Sequence, residues 1–150
     1  SYLGAEWLEG ATHCYTWLER LPRFDPPVRR QLLSTAAREI GSLLGRMHAS
    51  GVAHRDLKPG NIMVRGTAER IESFIVDLDG VSLRRSVSES LRARNVSRFV
   101  VSLTTHFPVV SLTTFLRGLR SYLSAMEVEY ARWKFVWRQI ARQVRRRSQS

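Results

Sequence analysis

The chain has 150 residues, 43% of them hydrophobic and 25% charged, a composition that fits one globular domain with its own core and excludes a disordered chain. Lys and Arg number 24 against 13 Asp and Glu, a formal net charge of +11 carried almost wholly by arginine, since Lys58 and Lys134 are the only lysines. That balance suits acidic partners without choosing among phosphates, nucleic acid and an anionic membrane face, while the single cysteine, Cys14, excludes an internal disulfide and a cysteine-based zinc site.

Tyr2 to Leu8 reads as a short strand that Gly10 breaks, and Ala11 to Leu21 as a short helix. Pro22, Pro26 and Pro27 mark a loop. Val28 to Ser50 is the clearest helix, with Leu32, Leu33, Ala36, Ala37, Ile40, Leu43, Leu44 and Met47 at helical spacing and Gly51 placed to stop it in a left-handed cap. A polar loop, His54 to Asn61, follows. The apolar runs Ile62 to Val64 and Ile71 to Leu78, separated by Gly66 and Thr67, then read as a hairpin. Ser86 to Leu103 and Thr113 to Val144 read as two further helices. Val-Val-Ser-Leu-Thr-Thr occurs at 100–105 and again at 109–114, and His106 and Pro108 predict a break between the copies. Phe99 to Leu116 is uncharged over 18 residues, but six Ser/Thr, His106 and Pro108 make it buried helix and loop rather than a membrane span. His13 and His48 lack metal-ligand partners at useful spacing and read as structural, and His106, in an apolar stretch, reads as a core or loop histidine. Trp133, Trp137, Ile140 and Val144 form one face of the last helix, a core stripe or a membrane-surface face. Arg132, Lys134, Arg138, Arg142 and Arg145 to Arg147 make the helix strongly basic, as a solvated face or one for anionic headgroups.

One segment carries chemistry. His54-Arg55-Asp56-Leu57-Lys58-Pro59-Gly60-Asn61 fits the catalytic-loop pattern H-R-D-L-x-x-x-N at every specified position. From average residue usage, coincidence over the chain is on the order of one in ten thousand. Phosphoryl transfer asks a protein for positioning and charge neutralisation rather than covalent work. Asp56 would accept the proton of an attacking hydroxyl, Asn61 on the same tight loop would bind Mg²⁺, and Lys58 would reach the transferred phosphate as a point charge. Arg55 would anchor the loop and His54 pack beneath it. Downstream, the apolar run Phe74-Ile75-Val76 ends in Asp77-Leu78-Asp79-Gly80, 16 residues after Asn61. Asp77 is the expected second metal ligand because the apolar run stops there, and Asp79 is the competing register. Near the start, Glu6-Trp7-Leu8-Glu9-Gly10 means nothing on its own; in a kinase it would be the hinge whose backbone bonds the adenine edge, with Glu6 and Leu8 as the binding positions.

The catalytic loop and hairpin resemble the C-terminal lobe of the protein-kinase-like superfamily. Asp77-Leu78-Asp79 in place of Asp-Phe-Gly is similar to the lipopolysaccharide core (Kdo/heptose, WaaP-like) kinases, as are Arg94-Asn95-Val96-Ser97-Arg98-Phe99 and Phe115-Leu116-Arg117-Gly118-Leu119-Arg120-Ser121-Tyr122. No Ala-Pro-Glu follows Asp77, no G-x-G-x-x-G occurs, and no strand carries a Val-Ala-Ile-Lys-like lysine. The resemblance implies an α+β, mostly helical C-lobe with a small β-hairpin and the N-lobe absent: a hinge strand over 1–10, the lobe over 11–147 and a tail over 148–150. With those motifs missing, it also implies a fragment of a longer chain, or else a degenerate relative without an N-lobe. The expected activity is ATP- and Mg²⁺-dependent phosphorylation of a sugar hydroxyl of the lipopolysaccharide inner core, in the cytoplasm and peripherally on the inner membrane. Rival readings are an atypical protein or small-molecule kinase, or a non-catalytic pseudokinase serving as an interaction module. Charge-driven nucleic-acid binding has no accompanying motif and is not favoured.

Overall fold

The computed structural model describes residues 8–107 and 110–148. A short strand β1 (Thr12–His13) leads directly into helix α1 (Cys14–Arg20) and a 3₁₀ turn over Leu21–Arg23. The long helix α2 (Pro26–Ala49) is followed by β2 (Val52–His54), β3 (Ile62–Gly66), β4 (Ile71–Ile75) and β5 (Val81–Leu83). Helices α3 (Glu89–His106), α4 (Leu112–Ala125) and α5 (Trp133–Ser148) complete the chain. Strands pair antiparallel in two small sheets, β1-β3-β4 and β2-β5. The protein is thus mostly helical with small antiparallel sheets.

Several boundaries differ from the sequence reading for identifiable reasons. Pro26 and Pro27 open α2 rather than ending a loop, because the first helical turn needs no backbone donor and proline's φ suits it. Thr12 and His13 leave the expected first helix to pair with Val64 and Met63, and Ala11 lies in the turn before them. Tyr2 to Trp7, with Glu6, lies outside the described residues. Leu8 is not in a strand but in a turn, its carbonyl accepting from the Ala11 N–H at 3.1 Å.

The expected single helix over Thr113 to Val144 is two helices. Met126 ends α4, and Glu127 takes a left-handed conformation at φ 55°. The Glu127 N–H then bonds the Ser124 carbonyl and the Val128 N–H the Leu123 carbonyl, both at 3.0 Å, while Val128 packs onto the core. This is a Schellman stop, usually announced by glycine and here built with glutamate. The reversal lets α5 lie against α3. Trp133, Val136, Trp137 and Val144 pack on the core and Ile140 is buried, so the tryptophan stripe faces inward. Gly51 caps α2 at φ 76° as expected, and α3 ends at His106, where the repeat was expected to break. Pro108 itself lies outside the described residues. Cys14 is buried, which pushes its thiol up to about 12. No helix among the described residues is long and apolar enough to cross a membrane.

Helix α2 is the central element. It packs on β4 and, most closely, on α4, where Gly41 and Gly45 face Gly118 and Tyr122 backbone. A Cβ at Gly41 would stand 2.1 Å from the Gly118 carbonyl oxygen, so the helices would have to separate. We expect Gly41→Ala to destabilise the protein by roughly 1–3 kcal/mol although alanine favours helix by ~1 kcal/mol. The check is the urea midpoint; an unchanged or raised midpoint contradicts the close approach.

Candidate active site

The polar loop leaves β2 at His54, makes a 3₁₀ turn over Pro59–Asn61 and enters β3. Leu57 and Pro59 point inward and are fully buried, fixing the loop from below. From the other side, the ring of His13 donates from Nδ1 to the Gly60 carbonyl at 2.9 Å, and Tyr15 lies over Gly60. The loop is also clamped by backbone bonds, Arg55 N–H to the Gly80 carbonyl (2.7 Å) and Val76 N–H to the Asn61 carbonyl (2.9 Å).

His54 is wholly buried, as expected of a structural histidine. Its Nδ1 accepts from the Asp56 N–H at 3.2 Å. The ring proton therefore sits on Nε2, which donates to the Asp77 carbonyl at 3.0 Å. One imidazole thus fixes both the Asp56 backbone and the Asp77 backbone, which is left-handed at φ 64°. Only glycine fits at position 80, since a Cβ there would stand 2.6 Å from His54 Cε1.

The acidic groups converge in front of this ring. Asn61 donates from Nδ2 to the Asp56 carbonyl at 2.9 Å, and the same nitrogen lies 3.4 Å from Asp77 Oδ2. That orientation turns the amide nitrogen to the loop, so Asn61 Oδ1 and the Asp77 carboxylate are the hard oxygen donors that these two neighbouring side chains offer. Two such donors suit Mg²⁺, which keeps waters and takes phosphate oxygens for its remaining positions. The structure brings Asp77 to Asn61, whereas Asp79 stands exposed on the following 3₁₀ turn. Lys58 Nζ is 2.6 Å from Asp56 Oδ2. This hydrogen bond is the main reason the Asp56 carboxyl is held below the usual carboxylate range, with Arg98 adding to it; the same contact raises Lys58. Asp56 is therefore ionised at neutral pH. Leu8 makes none of these contacts, and Glu6 lies outside the described residues.

The sequence reading did not single out Arg98. Its guanidinium, from α3, lies 3.7 Å from Asp56 Oδ1 and also donates to the Arg55 carbonyl. Nor did it foresee the buried relay behind the loop. The Tyr122 hydroxyl donates to His48 Nδ1 (2.8 Å), His48 Nε2 donates to Asn95 Oδ1 (3.2 Å), and the same oxygen accepts the His54 N–H (3.1 Å). The available signal was a histidine near the end of α2 and an Asn–Arg pair three apart on α3; neither spacing alone specifies a partner.

Three comparisons place the chain among known proteins. The family model described as "Lipopolysaccharide kinase (Kdo/WaaP) family" matches residues 1–122. A solved structure of WaaP in complex with acyl carrier protein superposes with a TM-score of 0.72 at 18% identity, over 93% of this chain and 58% of that one. A probable myosin light chain kinase of Dictyostelium discoideum is 46% identical over 48 residues, 29% of this chain and 15% of that protein. The chain thus spans less than two thirds of the length of each.

The relay has a pH signature. Burial, reinforced by nearby Arg92, lowers the His48 pKa from 6.5 to about 4. The folded protein keeps His48 neutral while the unfolded chain protonates near pH 6.5. Its contribution to stability is thus complete above that pH and is lost as pH falls toward 4, a difference of roughly 3 kcal/mol. Urea unfolding at pH 7 and 4.5 should show a steeper acid loss for the wild type than for His48→Gln. Identical pH dependence would exclude a buried neutral His48.

Proposed function

Because the chain belongs to the lipopolysaccharide kinase (Kdo/WaaP) family, we propose that it is the catalytic C-lobe of an ATP-dependent kinase that phosphorylates a sugar hydroxyl of the lipopolysaccharide inner core. The observation that carries this reading is the convergence of the Asp56 loop, Asn61 and Asp77 around one amide nitrogen. Asp56 accepts the proton of the sugar hydroxyl as its oxygen bonds to the γ-phosphorus and the bond to the ADP oxygen breaks. Asn61 and Asp77 would hold Mg²⁺, which would neutralise charge on the phosphate oxygens. Lys58 leaves Asp56 to follow the transferred phosphate. In the same reading residues 11–147 form the lobe, while the expected hinge position Glu6 lies outside the described residues.

The short match to a probable protein kinase supports a second reading, in which the acceptor hydroxyl belongs to a protein. Acceptor choice separates the two. Transfer from ATP to inner-core sugars, and not to protein substrates, is expected. In either case Asp56→Asn should cut kcat by about 10²–10⁴ with nucleotide binding largely kept, while Asp77→Asn should abolish Mg²⁺-dependent nucleotide binding. Wild-type turnover in both variants would refute the assignment.

The proposed site of work is the cytoplasmic face of the inner membrane, where α5 supports peripheral contact. Its tryptophan face packs on the core, which leaves charge as the means of attachment. Lys134, Arg138, Arg142 and Arg145 are exposed at spacings of three and four, a single basic stripe. Each cation near an anionic surface contributes ~1 kcal/mol, screened within a Debye length. Cosedimentation with anionic vesicles should therefore occur at low salt, and weaken both in high salt and when Arg138, Arg142 and Arg145 are changed to Ser. Absence of binding at low salt would make the stripe an ordinary solvated face.

A further inference from the structure

Beside the catalytic loop, and apart from Asn61 and Asp77, lies a polar cleft of about 350 Å³ between β2, β5 and α3. Four guanidinium groups line it: Arg55 from the loop, Arg84 after β5, and Arg94 and Arg98 one turn apart on α3. Asp79 is the single carboxylate among its lining residues. Among the described residues Arg55, Arg84 and Arg94 make no ion pair with a carboxylate, whereas Arg98 reaches Asp56. The floor is rigid, since His54 and Asn95 are buried and hydrogen-bonded to each other.

With Arg98 paired to Asp56, Arg55, Arg84 and Arg94 remain as cations lining the cleft beside the lone carboxylate Asp79, so an anion seated there meets several arginines at once. Guanidinium forks match phosphate and carboxylate oxygens in pairs. The cleft also has a direction. Arg98 lines it and at the same time lies 3.7 Å from Asp56 Oδ1, so an anion bound there sits one guanidinium away from the proposed proton acceptor. The metal-binding pair Asn61 and Asp77 does not line it, which separates it from the place of the nucleotide phosphates.

We infer that this cleft is an acceptor subsite: it binds a phosphate or carboxylate group already present on the acceptor and thereby brings a neighbouring hydroxyl to Asp56. The inference deepens the kinase reading and depends on it. The anion could instead be a phosphate on the chain's own Ser82, Ser86 or Ser88, which lie on the segment that borders the cleft.

The test uses Arg84→Gln combined with Arg94→Gln, two exposed positions that do not touch Asp56, with Arg117→Gln on α4 as control. Inorganic phosphate titrated into the protein should shift the arginine Nε resonances of Arg55, Arg84, Arg94 and Arg98, with affinity falling at least about tenfold in the double variant and not in the control. In the kinase assay the double variant should raise KM for an acceptor sugar bearing a phosphate or carboxylate, leaving KM for ATP and KM for the neutral analogue unchanged. Unchanged phosphate affinity, or an unchanged KM for the charged acceptor, overturns the inference. So does phosphate binding that appears only after phosphatase treatment of a chain carrying phosphoserine at those positions. Asp56→Asn separates the two levels: loss of turnover with phosphate binding intact leaves the kinase reading standing whichever way the KM result falls, and turnover retained in that variant removes it.

Discussion

A single buried imidazole holds the site together. His54 accepts from the Asp56 N–H and donates to the Asp77 carbonyl, so one ring, in one tautomer, sets the spacing between the backbones of the two aspartates. The ring leaves no room for a side chain at position 80, and it gives the Asp77 carbonyl a fixed donor. Asp77 therefore stays in a left-handed conformation that is sterically costly for most side chains and that aspartate tolerates. Loop order rests on these backbone and ring contacts, with the Arg98 guanidinium adding a bond to the Arg55 carbonyl.

The ring is in turn positioned from the interior. Asn95 Oδ1 receives both the His54 N–H and His48 Nε2–H, and His48 receives the Tyr122 hydroxyl. Each donor is buried, so each bond matters chiefly because leaving it unmade would cost about 1–3 kcal/mol. The relay links α4, α2, α3 and β2 in one line. It is possible only because Gly41, Gly45 and Gly118 let α2 and α4 approach almost backbone to backbone, which brings the Tyr122 hydroxyl within reach of His48. Close helix packing far from the loop is thereby coupled to the geometry of Asp56.

The sequence displayed the His54–Asn61 loop, the long helix and the hairpin, because each has a local cause: a fixed motif, a 3.6-residue apolar period, and two β-branched runs around Gly66. What it hid was non-local. β2 and β5 are three residues each and exist because Val52 to His54 pair with Val81 to Leu83, a partner 29 residues away that no local pattern announces. The α4–α5 reversal carries its left-handed residue as Glu127, so no glycine marks it. Arg98 looks like any arginine on an amphipathic helix until α3 is laid beside the loop. Glu6 and Asp79 were read from register and resemblance alone; the described geometry gives Asp79 a place at the cleft instead of beside Asn61.

Electrostatics ties these parts into a sequence of events. Before phosphate arrives, Lys58 is bonded to Asp56 and is the main cause of its depressed pKa, which makes Asp56 ionised but a weak base. In the proposed reaction the phosphate oxygens draw Lys58 away, and the carboxylate loses its strongest stabilising partner at the step where a proton must be accepted. Arg98 stays behind, held by the Arg55 carbonyl as well as by Asp56, and keeps the carboxylate aimed without bonding it as tightly. The two cations flanking Asp56 therefore act differently because of their anchoring. The flexible lysine, on the loop itself, can move with the phosphate, while the arginine is fixed from a separate helix and maintains the geometry through the transfer.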